Sequence, residues 1–300
     1  MVELSLAPSA DPITADGAPD WFVRALATPY EVCDVVVDGA RIEARAWGQR
    51  GSPGLILLHG NAAHLGWWSF LAPFFARDHR VATLSFSGMG GSDWRPAYST
   101  RTFVKEAWAV AEAAGILAAE APPVVVGHSM GGMSVLHLAA QDDRPIRAGI
   151  IIDTALPGPE LVAPVPRAVQ RFYPDKDTGL ARFRLSPPQP CANAWVMDHL
   201  ADQSLREEPG RGWTWRFDPQ LFRLVEVDEP WANMANAKVP LAILRGTLSE
   251  ITSGAMTRRM RATAPAGTPF IEIPEAHHHV MADQPLALVS ALRALLTAWT

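Results

Sequence analysis

The feature that most constrains the fold is an apolar run that leads straight into a serine between glycines. Val124-Val125-Val126 is apolar without alternation, which is typical of a strand buried on both faces. It continues into Gly127-His128-Ser129-Met130-Gly131, and a helical pattern begins at Met130. Such a sharp strand-to-helix turn needs glycine neighbours, and the helix N-terminus beside the serine favours an oxyanion. The segment predicts a nucleophilic Ser129 with the Met130 amide as an oxyanion donor; the alternative is a glycine-rich turn with a chance serine.

Other apolar runs alternate with helical patterns along the chain. A hairpin over 30–37 and 41–47 flanks the tight-turn dipeptide Asp38-Gly39. The predicted strands that follow are 55–58, 81–86, 124–126, 148–152, 241–244 and 270–273. The predicted helices are 67–75, 102–117, 130–140, 254–264 and 286–299. This order favours an α/β fold, with a mostly parallel sheet and helices on both faces.

The alternation stops between about 156 and 236. This segment is rich in proline, has four tryptophans and shows no clean strand. Helical patterns cover 165–172, 192–202 and 219–225. We therefore predict a mainly helical cap over 156–236, inserted into a core formed by 26–155 and 237–300, with residues 1–25 as an N-terminal extension.

Composition narrows the function classes. Hydrophobic residues make up 48% of the chain and charged residues 19%, which is typical of a globular protein. The net charge of -5 is spread along the chain, so neither nucleic acid nor a membrane is expected as a partner. Two cysteines exclude a disulfide framework. The N-terminus lacks the basic and apolar regions of a signal peptide, and we expect a soluble cytoplasmic protein.

Three further motifs occur in a fixed order around the serine. They are His59-Gly60-Asn61 after the strand 55–58, Ser87-Gly88-Met89-Gly90-Gly91-Ser92-Asp93 after the strand 81–86, and His277-His278-His279 before Pro285. Together with the serine turn, they resemble the α/β-hydrolase superfamily over roughly 32–299. The resemblance implies an eight-stranded, mostly parallel sheet with a cap. It also implies that the Asn61 backbone amide is the second oxyanion donor.

The resemblance also points to the histidine. Members of the superfamily have Gly-His, six residues and then proline, and counting back seven positions from Pro285 gives His278. His277 stands where the glycine is usual, so His277 and His279 stay open as alternatives. Three adjacent histidines could suggest a metal, but consecutive residues of an extended loop point in different directions. We predict neither a metal site nor a cofactor.

The acid must lie between Ser129 and His278, because the order in the superfamily is nucleophile, acid, histidine. Glu250 follows the strand 241–244, in a loop that resembles the one where the acid usually lies. Asp153 ends the strand 148–152, where a minority of members place it. We favour Glu250, so the predicted triad is Ser129, His278 and Glu250.

The serine nucleophile argues against epoxide hydrolases and haloalkane dehalogenases, which use aspartate at this turn. The resemblance implies an ester hydrolase that acts on a small or medium, hydrophobic substrate through an acyl-enzyme. Carbon–carbon bond hydrolysis on the same triad and a small-molecule receptor with this fold remain alternatives. Six tryptophans could line an apolar pocket, although packing is the simpler interpretation: Trp67, Trp68, Trp195, Trp213, Trp215 and Trp231. Four arginines could bind a substrate carboxylate, although a solvated face is the simpler interpretation: Arg167, Arg171, Arg182 and Arg184.

Overall fold

A twisted sheet runs through the middle of the protein. The computed structural model describes residues 6–7, 17–141, 143–157 and 168–299. Within them the sheet has nine strands, in the order β1-β2-β3-β5-β4-β6-β7-β8-β9. Numbered along the chain, they are β1 (Leu6–Ala7), β2 (Tyr30–Val32), β3 (Ala44–Trp47), β4 (Gly54–Leu58), β5 (Arg80–Leu84), β6 (Val124–His128), β7 (Ala148–Ile152), β8 (Leu241–Gly246) and β9 (Phe270–Ile273). The six strands from β4 to β9 pair with one another in parallel, while β3, β2 and β1 extend the sheet beyond β5 in antiparallel pairing. The predicted α/β class is confirmed, and β1 adds a two-residue edge to the eight expected strands.

The central strands are buried on both faces, as their unbroken apolar runs predict. All five residues of β4 are buried, with Ile56 and Leu58 in one hydrophobic cluster and Leu55 and Leu57 in the other. Successive side chains of a strand point to opposite faces, so the two clusters are the two layers between sheet and helices.

Eleven α-helices lie within the described residues. They are α1 (Asp20–Leu26), α2 (Gly66–Ser69), α3 (Thr100–Ala113), α4 (Met130–Ala140), α5 (Lys176–Leu180), α6 (Ala194–Gln203), α7 (Leu221–Leu224), α8 (Pro230–Ala235), α9 (Gly254–Thr263), α10 (Val280–Asp283) and α11 (Pro285–Ala298). Short 3-10 turns cover Ala72–Phe74 and Ile116–Ala118. Helices α3 and α4 pack in one layer and α1 and α11 in the other. None of these helices has the length and apolar character needed to cross a bilayer.

The predicted helix 67–75 is divided in the structure. Helix α2 ends at Ser69, and a separate 3-10 turn follows at Ala72–Phe74. Pro73 explains the break, since proline has no N–H to donate to the carbonyl four residues earlier. The helix predicted over 130–140 has the bounds of α4.

The predicted hairpin forms, but in two parts. Val35–Val37 pairs antiparallel with Ala40–Ile42 around Asp38 and Gly39. These two turn residues have φ angles of 46° and 80°, as a tight hairpin turn requires. The outer parts of the two arms become β2 and β3 of the main sheet.

The inserted segment differs from the prediction in having strands. Phe172–Tyr173, Gly212–Trp215 and Leu205–Glu208 form a small antiparallel sheet, so the predicted absence of a strand is wrong. Residues 192–202 do form a helix, α6, while 219–225 forms only the short α7. Of the helix predicted over 165–172, residues 165–167 lie outside the described residues, and residues 168–172 are not helical, so the prediction is wrong for the part that the structure describes. Val225–Glu226 pairs with Tyr98–Ser99, which ties the segment to the core.

Candidate active site

Ser129 lies on the turn between β6 and α4. Its backbone adopts φ 53° and ψ -120°, a conformation that residues other than glycine rarely adopt. Its N–H donates to the carbonyl of Ile152 at 2.9 Å. A Cβ at Gly127 would lie 2.3 Å from the carbonyl oxygen of Gly131. A Cβ at Gly131 would lie 2.7 Å from the carbonyl oxygens of His59 and Leu58. Both glycines are therefore required by close backbone approach, as the sequence pattern indicates.

His278 reaches this serine. Its Nε2 lies 3.2 Å from Ser129 Oγ, and its own carbonyl accepts a hydrogen bond from His128 Nε2 at 2.9 Å. The neighbouring histidines face elsewhere: His277 Nδ1 contacts Asp283 at 3.1 Å, and the ring of His279 packs 5.0 Å from that of Trp67. Of the three candidates, the structure brings His278 to Ser129.

The carboxylate at His278 belongs to Asp153. His278 Nδ1 donates to Asp153 Oδ2 at 2.6 Å, while Glu250 is exposed in the loop after β8. Asp153 is fully buried and accepts three more hydrogen bonds. They come from Ser249 Oγ and Thr252 Oγ1, each at 2.6 Å, and from the Gly246 N–H at 3.3 Å. The predicted contact between Glu250 and His278 is therefore wrong, and the second candidate takes its place.

Strand register explains this outcome. Ile152 of β7 pairs with His128 of β6 on one side and with Leu244 of β8 on the other. Asp153 and Ser129 are the next residues of their strands, so they leave adjacent parallel strands at the same level. Glu250 lies four positions beyond the end of β8 at Gly246. The loop that was expected to supply the acid supplies hydroxyl donors to Asp153 instead. The signal in the sequence was the position of Asp153 directly at the end of a buried strand.

The two predicted oxyanion donors lie on either side of the serine. Met130 is the first residue of α4, and Asn61 follows Gly60 in the loop after β4. Both residues line the same cavity as Ser129 and His278. A Cβ at Gly60 would lie 3.0 Å from Ser129 Cβ, so the glycine lets this loop approach the serine closely. Among the described residues, neither backbone N–H donates to a protein acceptor, which leaves both available to a substrate oxygen.

Buried histidines surround the serine without adding positive charge. Burial lowers the pKa of His59 to about 4 and that of His128 to about 3, the latter with a further contribution from neighbouring His278. Burial also holds the pKa of His64 and of His279 well below 6.5. All four rings are therefore neutral near pH 7.

Three of the site's histidines lie close enough to suggest a metal. Within the part of the chain that the structure describes, His128, His278 and His279 place one nitrogen each within 4.8 Å of one another. However, both nitrogens of His278 are already engaged, with Asp153 and Ser129, and His128 Nε2 contacts the His278 carbonyl. A metal ion on this cluster would have to displace the hydrogen bond between His278 and Ser129.

A cavity of about 630 Å³ opens over Ser129 and His278. Its wall is mostly apolar and aromatic, and much of it comes from the inserted segment; these lining residues are Phe183, Leu185, Trp215, Phe217, Phe222 and Val225. From the core, Trp67 also lines it. Trp68 is instead fully buried, and Trp195 packs on Trp21 and Phe22. The volume is in the range of small-molecule sites.

Comparisons with known proteins identify the family of the chain. The sequence model of the Alpha/beta hydrolase family matches residues 55–292. The chain therefore belongs to that family, and the resemblance seen in its motifs is confirmed.

The individual proteins that resemble this chain are less than 30% identical to it. Esterase Rv0045c of Mycobacterium tuberculosis (strain ATCC 25618 / H37Rv) is 23% identical over an alignment of 277 residues, and the match covers 87% of this chain and 88% of that protein. Lipase LipV of the same organism is 28% identical over 115 residues, 38% of this chain and 42% of that protein. Among solved structures, the crystal structure of Esterase Rv0045c superposes with a TM-score of 0.70 at 22% identity, covering 95% of this chain and 100% of that one. The thioesterase domain from the curacin biosynthetic pathway gives 0.73 at 21% identity, covering 88% and 99%. At these identities the structures show the shared fold.

Proposed function

We propose that the protein is a serine hydrolase that cleaves a carboxylic ester, with Ser129, His278 and Asp153 as its catalytic triad. One observation carries the proposal: the continuous hydrogen-bond chain from Asp153 Oδ2 through both ring nitrogens of His278 to Ser129 Oγ. This is the arrangement in which a histidine can take a proton from serine while a carboxylate holds its tautomer. The names of the esterase and lipase relatives support an ester as the bond that is cleaved.

The geometry supports a two-step reaction. Ser129 Oγ attacks the ester carbonyl carbon while His278 Nε2 takes the hydroxyl proton. The backbone amides of Asn61 and Met130 stabilise the oxyanion. The tetrahedral intermediate then breaks its carbon–oxygen bond to the alcohol, which leaves with the proton from His278. Water, deprotonated by His278, attacks the acyl-enzyme and releases the carboxylic acid and free Ser129.

Asp153 stabilises the charge that forms during both steps. It accepts the Nδ1 proton of His278 and stabilises the imidazolium without becoming protonated itself. Its other hydrogen bonds, from Ser249, Thr252 and Gly246, hold the carboxylate in position.

The inserted segment supports the substrate class. We infer that residues 156–236 act as a cap, since Phe183, Leu185, Trp215 and Phe217 from this segment line the cavity above Ser129. An apolar wall of this size suits a small or medium acyl chain.

Hydrolysis of 4-nitrophenyl esters from acetate to decanoate, by the wild type and by Ser129→Ala, tests the proposal. We expect turnover by the wild type and a loss of about 10⁴-fold or more in the variant, because the nucleophile is removed. The decline of kcat/KM beyond some chain length should reflect the cavity volume.

Two results would speak against this function. Equal turnover by Ser129→Ala would show that another group is the nucleophile. If the wild type cleaves no ester, carbon–carbon bond hydrolysis of a diketone becomes the next reaction to assay, and ligand binding without turnover the one after that.

A further inference from the structure

Arg216 occupies an unusual position on the cavity wall. It follows the strand Gly212–Trp215 of the inserted segment, is only partly exposed and lines the cavity that holds Ser129. Its backbone is fixed, because its N–H donates to the Ser204 carbonyl at 2.8 Å and its carbonyl accepts from the Gly90 N–H at 2.6 Å. The Nε of its guanidinium is buried and, among the described residues, has no hydrogen-bond acceptor. No described residue accepts a hydrogen bond from any nitrogen of this guanidinium, so its terminal nitrogens are available to an acceptor that enters the cavity.

Neighbouring arginines of the same segment are partnered. Arg206 and Arg211 both contact the Glu208 carboxylate, at 2.9 and 3.1 Å. Arg184 donates to the backbone carbonyls of Ala181 and Phe183. Arg206 shares with Arg216 a buried Nε that has no acceptor, but its guanidinium pairs with Glu208. Arg216 differs from these three in that, among the described residues, its guanidinium has neither a carboxylate nor a backbone carbonyl as a partner.

The charged side chains among the described lining residues of the cavity are all positive. Three arginines line it, Arg182, Arg184 and Arg216, whereas the described lining residues include neither aspartate nor glutamate. Arg216 and His64, from the loop after β4, both line the cavity; burial lowers the pKa of His64 most, and neighbouring His59 and then Arg216 lower it further. The lining histidine His64 is therefore neutral, and the guanidinium remains the charge at this side of the cavity. A cavity with one sign of charge and apolar walls attracts and orients the opposite charge.

We propose that Arg216 binds a carboxylate on the substrate, so that the substrate class is an ester that also carries a free carboxylate. A half-ester of a dicarboxylic acid is the simplest example. The planar guanidinium matches a carboxylate in a bidentate pair, and the apolar wall of the cavity that Arg216 and Ser129 both line accommodates the intervening carbon chain. This inference rests on the proposed ester hydrolysis and specifies its substrate.

The test compares esters that differ in charge alone. On the acyl side, mono-4-nitrophenyl esters of adipic to suberic acid are matched with the same compounds whose distal carboxyl is a carboxamide. On the alcohol side, butyryl esters of hydroxy acids are matched with their carboxamides and followed by pH-stat. In at least one series we expect the wild type to prefer the carboxylate about 10-fold to 100-fold in kcat/KM. Arg216→Gln should abolish that preference and leave kcat/KM for the carboxamides within about 3-fold.

Arg211→Gln is the matched control, because it removes the same charge from the same small sheet but does not line the cavity. It should retain the preference. If neither series shows a carboxylate preference, or if the preference survives in Arg216→Gln, the inference is wrong while ester hydrolysis stands.

A binding measurement separates the two proposals. Calorimetric titration of adipate and of adipamide into the wild type and Arg216→Gln needs no turnover. Tighter binding of adipate that depends on Arg216 supports the inference even if no ester is cleaved, in which case the proposed function fails alone. Equal binding of both compounds overturns the inference.

Discussion

Two parts of the site differ in whether their polar groups have hydrogen-bond partners. The floor is the triad of Ser129, His278 and Asp153, and the wall is the part of the inserted segment that lines the cavity, including Arg216. On the floor, the Asp153 carboxylate is fully buried and accepts four hydrogen bonds from the core of the protein. On the wall, the buried Nε of Arg216 has no acceptor among the described residues. Asp153 lies behind His278 in a closed network of hydrogen bonds, whereas Arg216 lines the cavity and lacks a partner.

This difference assigns different tasks to the two regions. A group held by several partners has a fixed position, which proton transfer between Ser129 and His278 needs. A group without a partner gains one only when a ligand binds, so it discriminates between ligands. We therefore expect substitutions on the floor to change the rate for every substrate and those on the wall to change which substrate is preferred.

The largest expected effect concerns the acid. Asp153→Asn should lower kcat by about 10³-fold to 10⁴-fold for all esters, because an amide no longer stabilises the His278 imidazolium or its tautomer. Glu250→Gln is the control, since this exposed carboxylate lies outside the hydrogen-bond chain. Steady-state kinetics of both variants decide the point. A loss in Glu250→Gln equal to that in Asp153→Asn would return the acid role to the loop after β8.

A smaller effect should appear in the pH dependence of stability. Folded His59 and His128 have pKa values lowered to about 4 and about 3, against 6.5 ordinarily. Below pH 6.5 the unfolded chain binds protons that the folded chain does not, so the free energy of unfolding falls as pH falls. Between pH 6.5 and 5 the two rings together should account for a loss of about 2 to 4 kcal/mol.

Urea denaturation from pH 7 to 5 measures this loss. His128→Asn should show a shallower decline, by about 1 kcal/mol per pH unit, since one of the titrating rings is removed. Identical slopes in the variant and the wild type would mean that His128 accepts a proton as readily when folded as when unfolded.

The smallest expected effect is on the free energy of unfolding, and its sign differs between the floor and the wall. Thr252→Val should lower the free energy of unfolding by about 1 to 2 kcal/mol, because it removes a donor from the buried Asp153. Arg216→Met should leave it unchanged or raise it by about 0.5 kcal/mol, because it removes a partly buried charge that has no partner. Denaturation without ligand tests both variants. A destabilised Arg216→Met would show that the guanidinium already has a stabilising contact.

Much of the fold could be predicted from the sequence because central strands are apolar on both faces. The run at 148–152 has the bounds of β7, whose five residues are all buried. The small sheet of the inserted segment was missed for the opposite reason. Leu205–Glu208 is a short strand at the sheet's edge with only Leu205 fully buried, so it has no apolar run to detect.

The candidate site was predicted in part. Ser129 follows from a motif that the backbone requires, since a Cβ at Gly131 would meet the carbonyls of His59 and Leu58. His278 follows from its place seven positions before Pro285, a spacing taken from the resemblance to the superfamily. The acid depends on which strand end reaches His278 Nδ1, and this is decided by pairing between distant strands. Arg216 was not singled out, because an unpaired guanidinium is defined by the absence of nearby carboxylates in three dimensions.

The hydroxyls around Asp153 have an evolutionary consequence. Ser249 Oγ lies 2.6 Å from Asp153 Oδ2, the same oxygen that accepts the His278 proton. The ends of β7 and β8 thus converge on one point next to the histidine. A chain with acids at both strand ends could lose either one while the base kept its place. Descent within such a family can therefore move the acid from one strand to its neighbour through single substitutions.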